Sequence, residues 1–146
     1  MRLFLGTILF IVMGAGNINA EMVAVSQNQA DIRSSPSEVV STVVMQVPRY
    51  YPLSTQESQN DFLKVTDYQG KSGWIQKSSV DKSRTVVVNT AGRANIRSGP
   101  GKDNKIVFKA HEGVCFKVLA EKGGWLQIQH ESGIKGWIYK GLVWGG

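Results

Sequence analysis

Short runs of alternating hydrophobic and polar residues cover most of this chain, with clusters of Gly, Ser, Asn and charged residues between them. In the run 125–130, Leu126 and Ile128 fall on one side of an extended strand and Trp125 falls on the other. No run shows a sustained 3.6-residue period, which an amphipathic helix would require. The pattern therefore predicts an all-β fold made of short strands.

The predicted strands are bounded by turn-forming residues such as those at 111–113, 121–124 and 131–133. Pro48 is expected at a turn and Pro52 near a strand end, because proline cannot donate a hydrogen bond to a strand ladder. The runs predict strands at 41–47, 49–54, 61–66 and 72–76, and again at 105–110, 114–119, 125–130 and 135–139.

Two motifs occur twice. The segment 30–36, Ala-Asp-Ile-Arg-Ser-Ser-Pro, returns as 94–100, Ala-Asn-Ile-Arg-Ser-Gly-Pro, at a shift of 64 residues. The Gly-Trp-Ile segment at 73–75 returns at 136–138, at a shift of 63. Two blocks at nearly equal shifts indicate a duplication with one insertion or deletion between them. About five short strands in a unit of roughly 60 residues are typical of a small closed barrel.

The repeats set the expected domain boundaries. We expect a first domain at 24–81, a short polar linker at 82–85 and a second domain at 86–144. Each repeat has its own turns and its own alternation, so the second is expected to fold without the first. Its expected core residues are Val107, Val118, Leu126, Ile128 and Ile138.

Residues 1–20 have the charged, apolar and small-residue order of a secretory signal peptide. The apolar run at 3–13 would reach about 17 Å as a helix, which is short of the roughly 30 Å hydrocarbon core of a bilayer. We therefore expect an exported protein, periplasmic or secreted, with no stable membrane insertion of the mature chain. The alternative is an uncleaved anchor that extends through Ala15.

The repeated motifs resemble those of bacterial SH3 domains. The second repeat has Asn-Ile-Arg-Ser-Gly-Pro at 95–100 and Gly-Trp-Ile about 40 residues later, at 136–138. The first repeat is a weaker copy, with Asp31 and Ser35 in place of the Asn and Gly. The resemblance covers both repeats and implies a five-stranded SH3-like barrel for each. It also implies a targeting or binding role, often towards the cell wall and frequently beside a catalytic domain.

The aromatic residues of the second repeat are the candidate ligand-binding residues. Trp125 is expected to face outward, and Trp137 and Tyr139 are expected to share the side opposite Ile138. Trp125 and Tyr139 then resemble residues that line the groove of SH3 domains. Tyr139 and Leu142 depart from the eukaryotic pattern, so recognition of a proline helix is not expected. The alternative is that Trp137, and partly Trp125, cap the barrel or pack between the repeats.

The first repeat has Phe62 and Gln76 where the second has Trp125 and Tyr139, so its groove is expected to suit a ligand less well. Charge divides in the same direction. Residues 83–146 hold 10 Lys and Arg against 4 Asp and Glu, whereas residues 21–82 hold 6 against 7. A basic surface can attract an anionic wall polymer, a headgroup or an acidic partner, although a solubilising surface has the same composition.

Arg97, and Arg33 in the first repeat, are candidates for binding an anionic group. Alternatively, the guanidinium ties the following loop to backbone carbonyls with its five donors. The arginine is present in both repeats despite their opposite charge balance, which favours the structural role. Gly99 and Pro100 are expected to shape the turn, with a positive φ at Gly99.

Cys115, with His111 and His130, is the candidate catalytic or metal-binding group. A thiolate nucleophile needs a neighbouring imidazole base, and zinc needs four ligands or three and a water. Cys115 lies in an apolar strand and the histidines lie in or beside turns, which favours a buried cysteine over a cysteine-dependent hydrolase subunit. We expect no enzyme activity, no cofactor and no metal site.

Two functional hypotheses remain. The first is an exported, non-catalytic module that recognises peptidoglycan peptide or glycan through the second repeat, with Trp125, Tyr139, Trp137 and Arg97 as binding residues. The second is a structural or regulatory adaptor that binds another envelope protein through the repeat–repeat surface. Nucleic acid is not an expected partner of an exported chain.

Overall fold

The computed structural model describes residues 16–17 and 20–146. This part of the chain contains fifteen β-strands, two one-turn 3-10 helices and no α-helix, which confirms the all-β prediction. The strands form two antiparallel sheets, one for each repeat. Most of the predicted signal peptide, at 1–15 and 18–19, lies outside the described residues.

The first sheet has the strand order β4-β3-β7-β6-β5-β2-β8, and β1 pairs with β5. A 3-10 turn at Lys77–Ser79 joins β7 to β8. The strands are β1 Gly16–Asn17, β2 Met22–Val25, β3 Gln29–Arg33, β4 Val43–Pro48, β5 Pro52–Gln59, β6 Phe62–Thr66, β7 Ser72–Gln76 and β8 Val80–Asp81.

The second sheet repeats this order as β11-β10-β14-β13-β12-β9-β15, with a 3-10 turn at Lys140–Leu142. Each sheet path therefore has seven strands, not the five expected, because β9 and β15 and their counterparts were not predicted. Thr85, which the sequence places in the linker, is the first residue of β9. The strands are β9 Thr85–Val88, β10 Arg93–Arg97, β11 Ile106–His111, β12 Cys115–Lys122, β13 Trp125–Gln129, β14 Lys135–Tyr139 and β15 Val143–Gly145.

The strand positions show two small length differences between the repeats. The shift is 63 residues for β2 and β9 and again from β4 and β11 onward, but 64 for β3 and β10. The loop at 89–92 is one residue longer than that at 26–28, and the loop at 98–105 is one residue shorter than that at 34–42. Two compensating changes therefore replace the single one that the sequence suggested.

The core of the second repeat contains Val118, Leu126, Ile128 and Ile138, as predicted. Val107 does not belong to it and is 43% exposed. The pairing of β10 with β11 shifts register at this point, so that Ile96 lies opposite Phe108 and Arg97 opposite Ile106. Val107 is the extra residue of this bulge, which turns its side chain away from the core.

The two barrels pack against each other. Val87 and Cys115 of the second repeat belong to the buried cluster of the first, and Trp144 packs against that cluster. All four residues of β9 are buried, because Val86 and Val88 face their own core while Val87 faces the other barrel. A strand buried on both faces is a continuous apolar run, and the Val-Val-Val sequence at 86–88 carries that signal. An isolated second repeat would expose these side chains.

Candidate ligand-binding groove

The two repeated motifs contact each other within each barrel. Strands β10 and β14 pair at Arg97 and Trp137. A Cβ added to Gly136 would lie 2.4 Å from Cγ2 of Ile96, so only glycine allows the strands to approach this closely. Gly73 has the same relation to Ile32, also at 2.4 Å. The motifs therefore build the strand crossing that supports the groove and do not themselves form it.

Arg97 supports the loop that follows its strand. Its Nη1 donates to the carbonyl oxygens of Lys102 at 3.0 Å and Asn104 at 2.9 Å, which is the structural role considered for it. The positive φ expected at Gly99 is wrong, because Gly99 is not among the residues in that conformation. Space requires this glycine, since a Cβ would lie 2.7 Å from Oδ1 of Asn104.

A groove of about 500 Å³ crosses the surface of the second repeat. Strands β10, β13 and β14, the loop after β10 and the 3-10 turn each contribute to it. We call it the aromatic groove; it is lined by Asn95, Arg97, Lys102, Trp125, Tyr139 and Leu142. Sequence analysis did not select Asn95 or Lys102. Asn95 lies two residues before Arg97 on the same strand face, and this alternation was the available signal.

Trp125 and Tyr139 form the floor and one wall of the aromatic groove. They lie opposite each other on β13 and β14, with ring centroids 5.7 Å apart and planes at 58°. Trp125 lies outside the core cluster, but the expectation that it is exposed is wrong: it is 9% exposed and Tyr139 is 47% exposed. Tyr139 lies across from Trp125 and covers it. A Cβ on Gly141 would lie 2.7 Å from the Tyr139 ring, so this glycine makes room for the tyrosine.

The structure brings three of the four predicted site residues together. Arg97, Trp125 and Tyr139 line the aromatic groove. Trp137 is half-buried, lies opposite Gln127 and Arg97 in the sheet, and is not a lining residue.

The first repeat has a groove at the equivalent positions, with a volume of about 340 Å³. We call it the polar groove; its residues include Asp31, Arg33, Glu38, Phe62, Gln76 and Ser79. Its polar groups bind one another. The Gln76 amide donates to Glu38, Gln46 donates to Asp31 at 3.0 Å, and Ser79 donates to Gln27 at 3.2 Å.

The lysines near the aromatic groove are not equivalent. Glu121 accepts hydrogen bonds from Arg84 at 2.6 Å and from Lys140 at 3.3 Å. These bonds, that from Arg84 first, hold the pKa of Glu121 below its ordinary value. Lys140 is therefore paired, whereas Lys102 is exposed at the edge of the groove.

Cys115 lies buried at the contact between the barrels. Burial, with a smaller contribution from Glu131, raises the pKa of its thiol to about 12. The thiol donates to the carbonyl oxygen of Gly113 at 3.5 Å, and a thiol in this state is a poor nucleophile at neutral pH. His130 interacts through Nδ1 with Ser132. Within residues 20–146, no group of three or more His, Cys, Asp or Glu side chains is placed to hold a metal ion.

Comparisons with known proteins match both repeats. A family model described as a bacterial SH3 domain matches residues 90–145, and a second model of the same description matches residues 28–81. The chain is 38% identical over 66 residues to the putative N-acetylmuramoyl-L-alanine amidase YrvJ of Bacillus subtilis, covering 45% of this chain and 13% of that protein. It is 35% identical over 55 residues to the probable cell wall amidase LytH of Staphylococcus epidermidis, covering 37% and 19%. The chain thus spans only a small part of these relatives.

Solved structures with a partial likeness include NlpC1 from Trichomonas vaginalis, with 18% identity, a TM-score of 0.40, and coverage of 92% of this chain and 50% of that one. An NlpC/P60 family protein from Bacillus cereus has 11% identity, a TM-score of 0.42, and coverage of 86% and 56%. In the part of this chain that the structure describes, no helix is long and apolar enough to cross a membrane.

Proposed function

Because the chain consists of two bacterial SH3 domains in tandem, we propose that it is an exported, non-catalytic module that binds peptidoglycan through the aromatic groove of its second repeat. One observation carries the proposal. Of two grooves at equivalent positions, only the second presents an exposed aromatic ring, that of Tyr139, supported by a buried Trp125. The names of the relatives, which describe cell wall amidases, support the wall as the location.

The chemistry of the aromatic groove favours a ligand with a flat apolar face beside an anionic group. The Tyr139 ring can stack on the face of a sugar or pack on an apolar part of a peptide. The Lys102 ammonium attracts a carboxylate, and Asn95 supplies an amide that can donate and accept. Peptide stems and glycan of peptidoglycan combine these features. The volume lies within the roughly 300–1,000 Å³ of sites that hold small ligands.

Export and the absence of catalysis complete the proposal. Residues 1–20 would direct secretion and be removed near Glu21. The amidase activity named for the relatives is not transferred to this chain, since the match covers 13% and 19% of their length. Burial of Cys115 supports a non-catalytic role.

Sedimentation with purified, protein-free murein sacculi tests the proposal. The wild type and a surface control, Leu119→Ala, should sediment with the sacculi, and Tyr139→Ala should bind roughly tenfold more weakly, as expected for an interface anchor. Leu119 is exposed and lies outside the groove. If the wild type ignores sacculi but is retained by envelope proteins, the adaptor hypothesis replaces this one. The repeat–repeat surface proposed for an adaptor is largely buried between the barrels.

A further inference from the structure

A separate cavity of the second repeat lies next to β11. It has a volume of about 270 Å³ and is lined mainly by Phe108, Val114, Phe116 and Ile134, with His130 also at its wall. We call it the apolar pocket. None of its lining residues belongs to the aromatic groove.

In the first repeat, a tyrosine occupies the corresponding place. Tyr51 immediately precedes β5 as Val114 precedes β12, and Asp67 corresponds to His130. The Tyr51 side chain is buried in the core cluster with Val47 and Leu53, and its hydroxyl donates to Asp67 at 2.8 Å. The same scaffold therefore accommodates an aromatic side chain here, and the shorter valine of the second repeat leaves the place open.

The size of the apolar pocket fits one side chain better than a free small molecule. Sites that bury drug-sized ligands generally measure roughly 300–1,000 Å³, above the volume found here. The internal comparison with Tyr51 identifies the side chain as aromatic.

The apolar pocket also lies along a sheet edge. Strand β11 is the last strand of its sheet and, among the described strands, pairs only with β10. Its four successive residues 108–111 all line the pocket, although successive side chains point to opposite faces of a strand. The pocket therefore follows the backbone of β11. Extended peptides bind such edges through main-chain hydrogen bonds and place alternate side chains in pockets.

We propose that the second repeat has a second binding site, in which an extended segment of a protein partner pairs with β11 and inserts an aromatic side chain into the apolar pocket. This site goes beyond the peptidoglycan groove and does not depend on it. His130 suits a tyrosine hydroxyl. The backbone N–H of Ser132 donates to Nδ1 of His130 at 3.2 Å, so the neutral ring has its hydrogen on Nε2, where it can donate to a phenol oxygen.

Backbone NMR of the labelled chain tests the site with a capped five-residue peptide that has a central Tyr between Thr and Val residues. The amide signals of residues 108–111 and Val114 should shift in a saturable manner. A matched peptide with a central Ala should bind roughly tenfold more weakly or not at all. Shifts confined to the aromatic groove, or equal affinity for both peptides, would overturn the proposal.

Two substitutions taken from the first repeat should close the apolar pocket. Val114→Tyr fills it with the counterpart residue, and Ile134→Lys places the counterpart of Lys71 at an exposed rim position that folding does not need. Each should reduce affinity for the Tyr peptide roughly tenfold, while Leu119→Ala should leave it unchanged. Unchanged binding in Ile134→Lys would contradict the site even if Val114→Tyr failed to fold. Peptide-independent dimerisation through β11 would overturn the proposal in favour of a second copy as the occupant.

Discussion

The polar groove and the aromatic groove occupy the same place in two barrels of the same strand order. In the first repeat, Gln76 is bound to Glu38 of its own loop. In the second, Tyr139 stands at that position, partly exposed and supported by Trp125. The first groove satisfies its own polar groups, whereas the second leaves an aromatic surface open to a ligand.

This difference separates the residues that build the groove from those that give it a binding character. The Ile-Arg and Gly-Trp motifs occur in both repeats and form the same close strand crossing, at Gly73 and Gly136. The character of each groove depends on three pairs of positions: Phe62 and Trp125, Gln76 and Tyr139, and Ser79 and Leu142.

The largest expected effect concerns the scaffold. Leu126→Ala should lower the free energy of unfolding by about 2–5 kcal/mol, the usual cost of removing a fully buried leucine side chain, because Leu126 is almost completely buried. Its counterpart Leu63 is only half-buried, so Leu63→Ala should cost clearly less. Urea unfolding monitored by circular dichroism measures both. Equal losses would show that the two cores do not differ as described.

The next effect concerns ligand binding. Trp125→Ala removes the support of Tyr139 and should weaken binding to sacculi by at least about 1–2 kcal/mol, whereas Phe62→Ala should change it less. Both residues are buried, so the thermal unfolding of each variant is the control for lost stability. If Trp125→Ala lowers thermal stability and leaves binding unchanged, Trp125 is a structural residue only.

A smaller effect is expected at the arginines. Arg97→Lys cannot reproduce the two bonds to the carbonyls of Lys102 and Asn104, and it should cost about 0.5–1.5 kcal/mol of stability per lost bond. Arg33 donates to the side chain of Ser41, so Arg33→Lys should cost less. Differential scanning calorimetry compares the two variants. A loss of sacculus affinity in Arg97→Lys without any loss of stability would instead assign Arg97 to the ligand.

The smallest expected effect is that of salt. Lys102 is exposed, and exposed charges are screened beyond a Debye length of about 8 Å at 0.15 M ionic strength. Raising the salt concentration should weaken binding of the wild type modestly, and Lys102→Gln should reduce this salt dependence. Binding isotherms at several salt concentrations measure it, and a salt dependence unchanged in Lys102→Gln would exclude Lys102 from the groove's attraction for its ligand.

The sequence predicted the fold where short-range pattern determines structure. Strands β7 and β14 begin and end as predicted, because alternation and flanking turn residues act locally. Strand β5 begins at Pro52, later than predicted, since the chain turns at Tyr50, which has φ 69°. Strand β9 was missed because its burial depends on the other barrel, which no local alternation records.

The candidate site was predicted in its position but not in its details. Period-two alternation placed Trp125 on the groove face, yet its burial depends on Tyr139, which lies across the sheet. The bulge at Val107 and the contact of Gly99 with Asn104 also depend on tertiary neighbours. Alternation gives the face of a strand but not what covers that face.

A sacculus-binding isotherm for a groove-exchange variant tests the central claim most directly. The substitutions Trp125→Phe, Tyr139→Gln and Leu142→Ser give the aromatic groove the residues of the polar groove, and Gln76→Ala in the polar groove is the matched control. With folding verified by circular dichroism, the exchange variant should bind at least roughly tenfold more weakly than the wild type, a loss of about 1.4 kcal/mol, and the control should bind as the wild type does. Equal affinity of the exchange variant and the wild type would contradict the assignment of ligand binding to the aromatic groove.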